Sequence, residues 1–429
     1  MRRAIALNPG APAPYANLGQ ALIGLGVAAE AAQALERAAA LQPANPRTHN
    51  SRGLALHALG RMDEAVESFG QAIALQPGEP GAYVNAANAL SDAGRGDEAL
   101  ARLDAALRLR PDLVEALTSR AVVLKQLGRP EQALGDLARA AALRPELASA
   151  RYNLGALLKE LRRLDEALVE LDAAIALQAG HLGALYSRAV VLAELQRSTE
   201  AVAAFDQAIA LKPDYAEALY GRALSRLQLG DFDQGLRDYE HRKALNPPVG
   251  RRPCPEPEWL GEQDLQGKTL FLHHEQGFGD TLLFGRYARL AEARGAEVVL
   301  SVQSPLQGLM RSLSPTLRVI GEGERPERFD LHAPLMSLPL AFGTTLPTIP
   351  AGPRYLTSDE ALRARWAARL PATGRRKIGL VWASNRQNLQ LTQRSPGAGS
   401  FCSDIQSASA ASRGRIASSP AERWVSCRF

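Results

Sequence analysis

The sequence predicts an α-helical solenoid joined to one parallel α/β unit, followed by a tail without regular structure. Three observations predict this. Prolines and small residues recur with a 34-residue period through the first 249 positions. After a proline-rich stretch, short apolar runs alternate with amphipathic ones. After residue 385 both patterns stop.

The prolines set the period of the first segment. Pro9, Pro43, Pro77, Pro111, Pro145, Pro213 and Pro247 lie on one grid, with Ala179 at its single gap. A second grid holds small residues: Gly19, Gly53, Ala87, Ala121, Gly155, Ala189 and Ala223. A third holds Ala31, Ala65, Ala99, Ala133, Ala167, Ala201 and Gly235, and a fourth Ala38, Ala72, Ala106, Ala140, Ala174 and Ala208. Leu-Gly turns fall between the second and third grids at 25–26, 59–60, 127–128 and 229–230. Small residues at fixed positions let two helices pack closely. The glycine turn ends the first helix and the proline ends the second. No such unit buries its apolar face alone, so the units stack.

These columns resemble the tetratricopeptide repeat (TPR). Repeats are expected at 12–45, 46–79, 80–113, 114–147, 148–181, 182–215 and 216–249, with residues 1–11 as the second helix of a partial copy. The chain is then expected to start inside a longer array. Two places before the small-residue grid stand Asn17, Ser51, Asn85, Ser119, Asn153, Ser187 and Gly221. In TPR superhelices this face of the first helix lines the concave groove, and a related asparagine ladder in O-GlcNAc transferases grips a peptide backbone. The resemblance implies an extended polypeptide as partner, on Asn17, Ser51, Asn85, Ser119, Asn153 and Ser187. A solvent-facing helix position that is simply polar is the other reading.

Residues 250–265 read as a stiff linker around Pro253, Pro255 and Pro257. Beyond it, strands are expected at 269–272, 297–302, 317–320 and 377–382, and helices at 281–294, 306–313, 335–342 and 359–370. Alternation of this length argues for a parallel sheet covered by helices. The stretch 268–284, KTLFLHHEQGFGDTLLF, reads as strand, glycine-rich turn and helix. Open α/β sheets place ligands at that edge.

The stretches QGFGDTLLFGRY, GAEVVL, FDLHAPLMSLPLAFG, TIPAGPRYL and KIGLVWASN resemble bacterial TPR proteins fused to a GT-B glycosyltransferase. That family is heptosyltransferase-like (glycosyltransferase family 9) and distantly similar to O-GlcNAc transferases. The resemblance implies that residues 266–385 form the N-terminal Rossmann-like half of a GT-B enzyme, with a nucleotide sugar as donor substrate and no metal or resident cofactor. It implies Asp280 as general base, in a Gly-Asp that matches the family's. Capping of the helix start is the competing reading of Asp280. Gly277 and Gly279 admit close approach of a ligand. His332 lies at a strand end, facing the same cleft or buried as a structural histidine, and Asn385 is expected near the interdomain cleft.

No metal site is expected. His273 and His274 are adjacent on a strand and point to opposite faces. The Asp231-Phe232-Asp233 triplet copies the metal-binding DxD of other glycosyltransferases, but it occupies a turn of the repeat array where Asp63, Asp97 and Asp165 share the column of Asp233.

Residues 386–429 hold nine serines, arginine without lysine and two of the three cysteines. A disordered tail is expected, read as a shifted frame or as a linker to a lost domain. In either case the donor-binding half is missing, and a catalytically impaired protein-binding chain or a non-catalytic TPR scaffold is expected.

Composition excludes several classes. The chain is 46% apolar and 22% charged, ordinary for a soluble globular protein. It has no apolar run of about 18 residues, so no membrane span is expected. Its three cysteines are too widely spaced for a disulfide framework, so a reducing cytoplasm is the expected compartment. Of the net charge of +5, the tail supplies four, from six arginines against Asp404 and Glu422. No basic stripe with interleaved aromatics is left to bind nucleic acid.

Overall fold

The computed structural model describes residues 1–247, 252–351 and 355–369. The expected strand at 377–382, Asn385 and the tail from 386 lie outside the described residues.

Helices fill the first segment in antiparallel pairs. After α1 (Arg2–Leu7), the first helices of successive repeats are α2 (Pro12–Gly24), α4 (Pro46–Ala58), α6 (Pro80–Asp92), α8 (Val114–Gln126), α10 (Ala148–Glu160), α12 (Leu182–Glu194) and α14 (Ala216–Gln228). The second helices are α3 (Ala28–Leu41), α5 (Met62–Leu75), α7 (Gly96–Leu109), α9 (Pro130–Leu143), α11 (Leu164–Leu177), α13 (Ser198–Leu211) and α15 (Phe232–Tyr239).

Several starts are pre-set by proline at the first helical position, as in α2, α4 and α6. Asn45 caps α4 by accepting from the N–H groups of Arg47 and Thr48. The turn inside each repeat needs one left-handed residue. Gly26, Gly60, Gly94, Gly128 and Gly230 supply it, and Arg162 and Gln196 occupy the same column, both at φ 63°. The alanine columns are the helix–helix contacts: Ala31, Ala65, Ala99, Ala133, Ala167 and Ala201 are all fully buried. Gly53 shows why its column stays small, because a Cβ there would lie 2.5 Å from the Phe69 ring.

After α15 a 3-10 turn, Glu240–Ala244, carries the chain toward a sheet that has four strands among the described residues. The strands are β1 (Thr269–His273), β2 (Glu297–Ser301), β3 (Arg318–Ile320) and β4 (Leu331–Pro334), all parallel, in the order β3-β2-β1-β4. Leu270 pairs with Val298 on one side and Leu331 on the other. Between β1 and β2 run α16 (Phe278–Phe284) and α17 (Ala288–Ala293). Between β2 and β3 runs α18 (Gln307–Met310), and α19 (Leu338–Ala341) follows β4.

Strand alternation divides two cores. Leu270, Leu272, Val298, Leu300 and Leu331 face the helices together with Met310 and Leu338. Phe271, Val299, Ile320 and Phe329 face the other way, where Cys254 packs on them. The stretch after Pro253 lies along this sheet. Trp259 is fully buried, its backbone N–H donates to the His332 carbonyl at 2.7 Å, and its indole N–H donates to the Gln263 carbonyl at 3.0 Å. A further helix, α20 (Glu360–Arg369), opens a separate unit.

Candidate functional site

Two regions gather polar groups: the inner face of the helix array and the edge of the sheet.

First helices of successive repeats pack on one another, α2 on α4, α4 on α6, α6 on α8, α10 on α12 and α12 on α14, and the second helices form no such row. The first helices therefore line the inside of the array's curve. Between α8 and α10 the row continues through the Lys125–Glu160 ion pair at 3.0 Å. A cavity of about 550 Å³ opens there, lined by Glu115, Thr118, Arg144, Leu147, Ser149 and Asn153 among others.

The expected ladder lies on this face. Asn17 is exposed, and Ser51, Asn85, Ser119 and Asn153 are half-buried. Each contact reaches across to a neighbouring repeat: Ser51 Oγ donates to Gln20 Oε1 at 2.8 Å, and Asn85 Nδ2 donates to Asn50 Oδ1 at 3.0 Å. Ser187 departs from the row, being 4% exposed.

A second row escaped the sequence reading. Tyr152, Tyr186 and Tyr220 stand one place before the ladder at 34-residue spacing, all half-buried. Tyr186 packs on Tyr215 with ring centroids 5.0 Å apart, and Tyr220 on Tyr239 at 5.5 Å. The period itself was the signal that would have found them.

At the sheet edge, Gly277 is the residue that opens α16 and Asp280 sits at its third helical position. Asp280 Oδ2 accepts the Gly277 N–H at 3.1 Å. Gly277 has no side chain to return the bond, so half of a capping box is present. Asp280 is 6% exposed. Burial raises its pKa above the ordinary aspartate value, against the pull of its backbone hydrogen bonds. A Cβ at Gly279 would meet nothing within 4 Å, so packing within the chain does not require that glycine. Burial also raises the phenol pKa values of Tyr220 and Tyr239, and the charge of Asp280 adds to both. The inner face of the helices thus ends beside the glycine turn.

His332 has different surroundings. It pairs with Phe271 across β1 and β4, so its side chain shares the face of Phe271 and His273. His273 Nε2 lies 3.4 Å from His332 Nδ1, with the rings stacked at 5.6 Å. Burial, then His332 and Arg252, push the His273 pKa down to about 3. Cys254 completes a group whose ligand atoms all lie within 4.8 Å of one another. His274, its neighbour in the sequence, points away and meets the Ser301 carbonyl at 3.3 Å. Which strand lies beside β1 was needed to see the pairing.

The joint between helices and sheet is a third cluster. Arg242 and Glu275 are both withdrawn from solvent and joined at 2.9 Å. Ser337 accepts from Arg242 and donates to Glu240. The DxD triplet acts as scaffold: Asp231 caps α15 through the Gln234 N–H, and Asp233 pairs with Arg237 at 3.1 Å. Among the described residues no helix is long and apolar enough to cross a membrane.

Comparison with known proteins agrees with the helix array. Profiles described as tetratricopeptide repeat match residues 2–80, 56–121 and 118–181, and one described as TPR repeat matches 190–230. Protein FlbA of Caulobacter vibrioides is 29% identical over 187 residues, 38% of this chain and 31% of that protein. The chain thus spans less than a third of that relative's length. Among solved structures, YrrB, described as a TPR protein with an unusual peptide-binding site, is 26% identical with a TM-score of 0.38, over 44% of this chain and 98% of its own. PilF of Pseudomonas aeruginosa is 20% identical with a TM-score of 0.43, over 50% of this chain and 97% of its own. From residue 2 to residue 230, this chain is built of tetratricopeptide repeats.

Proposed function

We propose that this protein binds other proteins by holding an extended polypeptide segment along the inner face of its first helices. The observation that carries the reading is the pair of rows at 34-residue spacing. Amide and hydroxyl groups (Asn17, Ser51, Asn85, Ser119, Asn153) run beside half-buried rings (Tyr152, Tyr186, Tyr220). Amides pair with a peptide backbone whatever its sequence, and tyrosine offers large contact area at low entropic cost. The cavity lined by Glu115, Thr118 and Asn153 leaves room for an anchoring side chain. Selection from a displayed library of random peptides by the full chain tests this. Enrichment of binders that Asn85→Ala and Asn153→Ala weaken supports it, and no enrichment contradicts it.

A second reading has one observation in its favour. Four parallel strands in the order 3-2-1-4, with a strand–glycine turn–helix at 269–284, fit the acceptor-side Rossmann-like half of a GT-B glycosyltransferase. On that reading the repeats present a protein acceptor to the sheet edge, and a nucleotide sugar is the donor. Asp280, already hydrogen-bonded to Gly277 and almost fully buried, is a poor general base as it stands, because its carboxylate has to leave the helix start to meet an acceptor. Calorimetric titration of the full chain with nucleotide sugars tests the reading. Saturable binding favours it, and its absence leaves the protein-binding scaffold.

A further inference from the structure

We propose that Cys254, His273 and His332 form a binding site for a zinc ion, at the point where the chain leaving the helix array lies down on the sheet. The three side chains come from separate parts of the chain. His273 ends β1, His332 lies in the adjacent β4, and Cys254 arrives from the stretch preceding Trp259. The sheet register brings the two imidazoles onto one face, and Cys254 packs against the small core on that face.

The distances fit. With zinc–nitrogen bonds of about 2.0–2.1 Å, two nitrogens on a tetrahedral ion lie roughly 3.3 Å apart, and a nitrogen and a sulfur roughly 3.5 Å apart. The His273 Nε2 to His332 Nδ1 separation is 3.4 Å. All ligand atoms of the group lie within 4.8 Å, so the Cys254 sulfur has at most roughly 1.3 Å to close against the tetrahedral value. It belongs to a half-buried residue outside the helices and strands, where such a shift costs little.

The donor set and its surroundings also fit. One thiolate and two neutral imidazoles suit zinc and leave a fourth position open. His273 is 1% exposed and its Nδ1 has no hydrogen-bond partner. A buried ring in that state is under-satisfied by its contact with His332 alone. The charged neighbours are Arg252, which stacks over Phe271 and donates to Ser301 Oγ, Arg325, which pairs with Glu256 at 3.4 Å, and the paired Lys243 and Glu258 beside His332. The positive charge of the two arginines opposes a bare cation but favours the thiolate that binds it. A bound ion would fasten the exit of the helix array to β1 and β4.

The test uses the full chain with Cys402 and Cys427, the other two cysteines, replaced by serine so that one thiol remains. Cobalt is added as a spectroscopic stand-in, zinc is titrated against it, and alkylation of Cys254 is timed with and without zinc. The expected result is one equivalent of cobalt with a thiolate-to-cobalt charge-transfer band, displacement by zinc, and slowed alkylation. Cys254→Ala abolishes the band, and His332→Ala weakens zinc binding by about tenfold or more, since even outer-sphere partners cost that much. Absence of the band, or alkylation of the folded chain at the same rate with and without zinc, overturns the proposal even if the variants misfold.

Discussion

Arg242 grips Glu275 with both arms of its guanidinium. Nε and Nη2 donate to Oε1 at 3.0 and 2.9 Å, and Nη2 reaches Oε2 at 2.9 Å. Neither side chain is exposed. One belongs to the turn that ends the helix array and the other to the loop after β1. The second carboxylate oxygen also accepts the Met336 N–H at 3.0 Å, and the remaining guanidinium nitrogen reaches Glu240 at 2.8 Å. The pair therefore sets how the repeats deliver the inner face to the sheet edge.

A buried pair of this kind is costly to break and cheap to replace. Glu275→Ala leaves the buried Arg242 with Glu240 as its remaining carboxylate and the Met336 N–H without its acceptor, and is expected to cost about 3 kcal/mol. Arg242→Met combined with Glu275→Leu is expected to recover most of that loss. Urea denaturation read by fluorescence checks both. A double variant no more stable than Glu275→Ala would show that the charges themselves hold the joint.

The left-handed column offers a stabilising change. Gln196 adopts φ 63° where five other repeats carry glycine, a conformation that costs an L side chain roughly 1–2 kcal/mol. Gln196→Gly returns part of that to the greater freedom of unfolded glycine. A net gain of about 0.5–1 kcal/mol is expected, seen as a higher urea midpoint with unchanged slope.

Gly53 makes the opposite case. A Cβ at that position would sit 2.5 Å from Cε1 of Phe69, which is fully buried. Gly53→Val is expected to destabilise the array by about 1–3 kcal/mol through overpacking. Hydrogen exchange would place the loss in α4 and α5 and spare α12 to α14, because each repeat contacts only its neighbours.

Asp280 is expected to show a pH signature. Its pKa is raised by burial, so its ionisation opposes folding. That penalty is absent below the unfolded pKa and grows as pH rises through the folded one. Asp280→Asn keeps an oxygen for the Gly277 N–H and removes the charge. The variant is expected to match the parent near pH 4 and to exceed its stability at pH 7, by melting temperature. Equal stability at both pH values would mean the buried charge is fully compensated.

The repeats were legible because each one poses the same packing problem again. A glycine or alanine that faces Leu35, Phe69 or Leu171 has to recur every 34 residues, and chance does not reproduce four such columns. Strands β1, β2 and β3 were legible from apolar runs ended by turns. Strand β4 is four residues long and carries a histidine, so its run looked like a strand end leading to a helix. The pairs that depend on strand order stayed hidden. His273 and His332 stand 59 residues apart, and nothing in either stretch announces that β4 lies beside β1. Nothing in the sequence around Arg242 or Glu275 marks them as partners, and the docking of the array on the sheet buries both.

Polypeptide binding by the inner face of the repeats is open to measurement. Its most direct measurement is the affinity of the full chain for a library-selected peptide, compared with that of a chain carrying Asn85→Ala, Asn153→Ala and Tyr186→Ala. Weakening of at least about tenfold, or about 1.4 kcal/mol, is expected, with the melting transition retained. Undiminished affinity in the substituted chain, with the same fold, would contradict it.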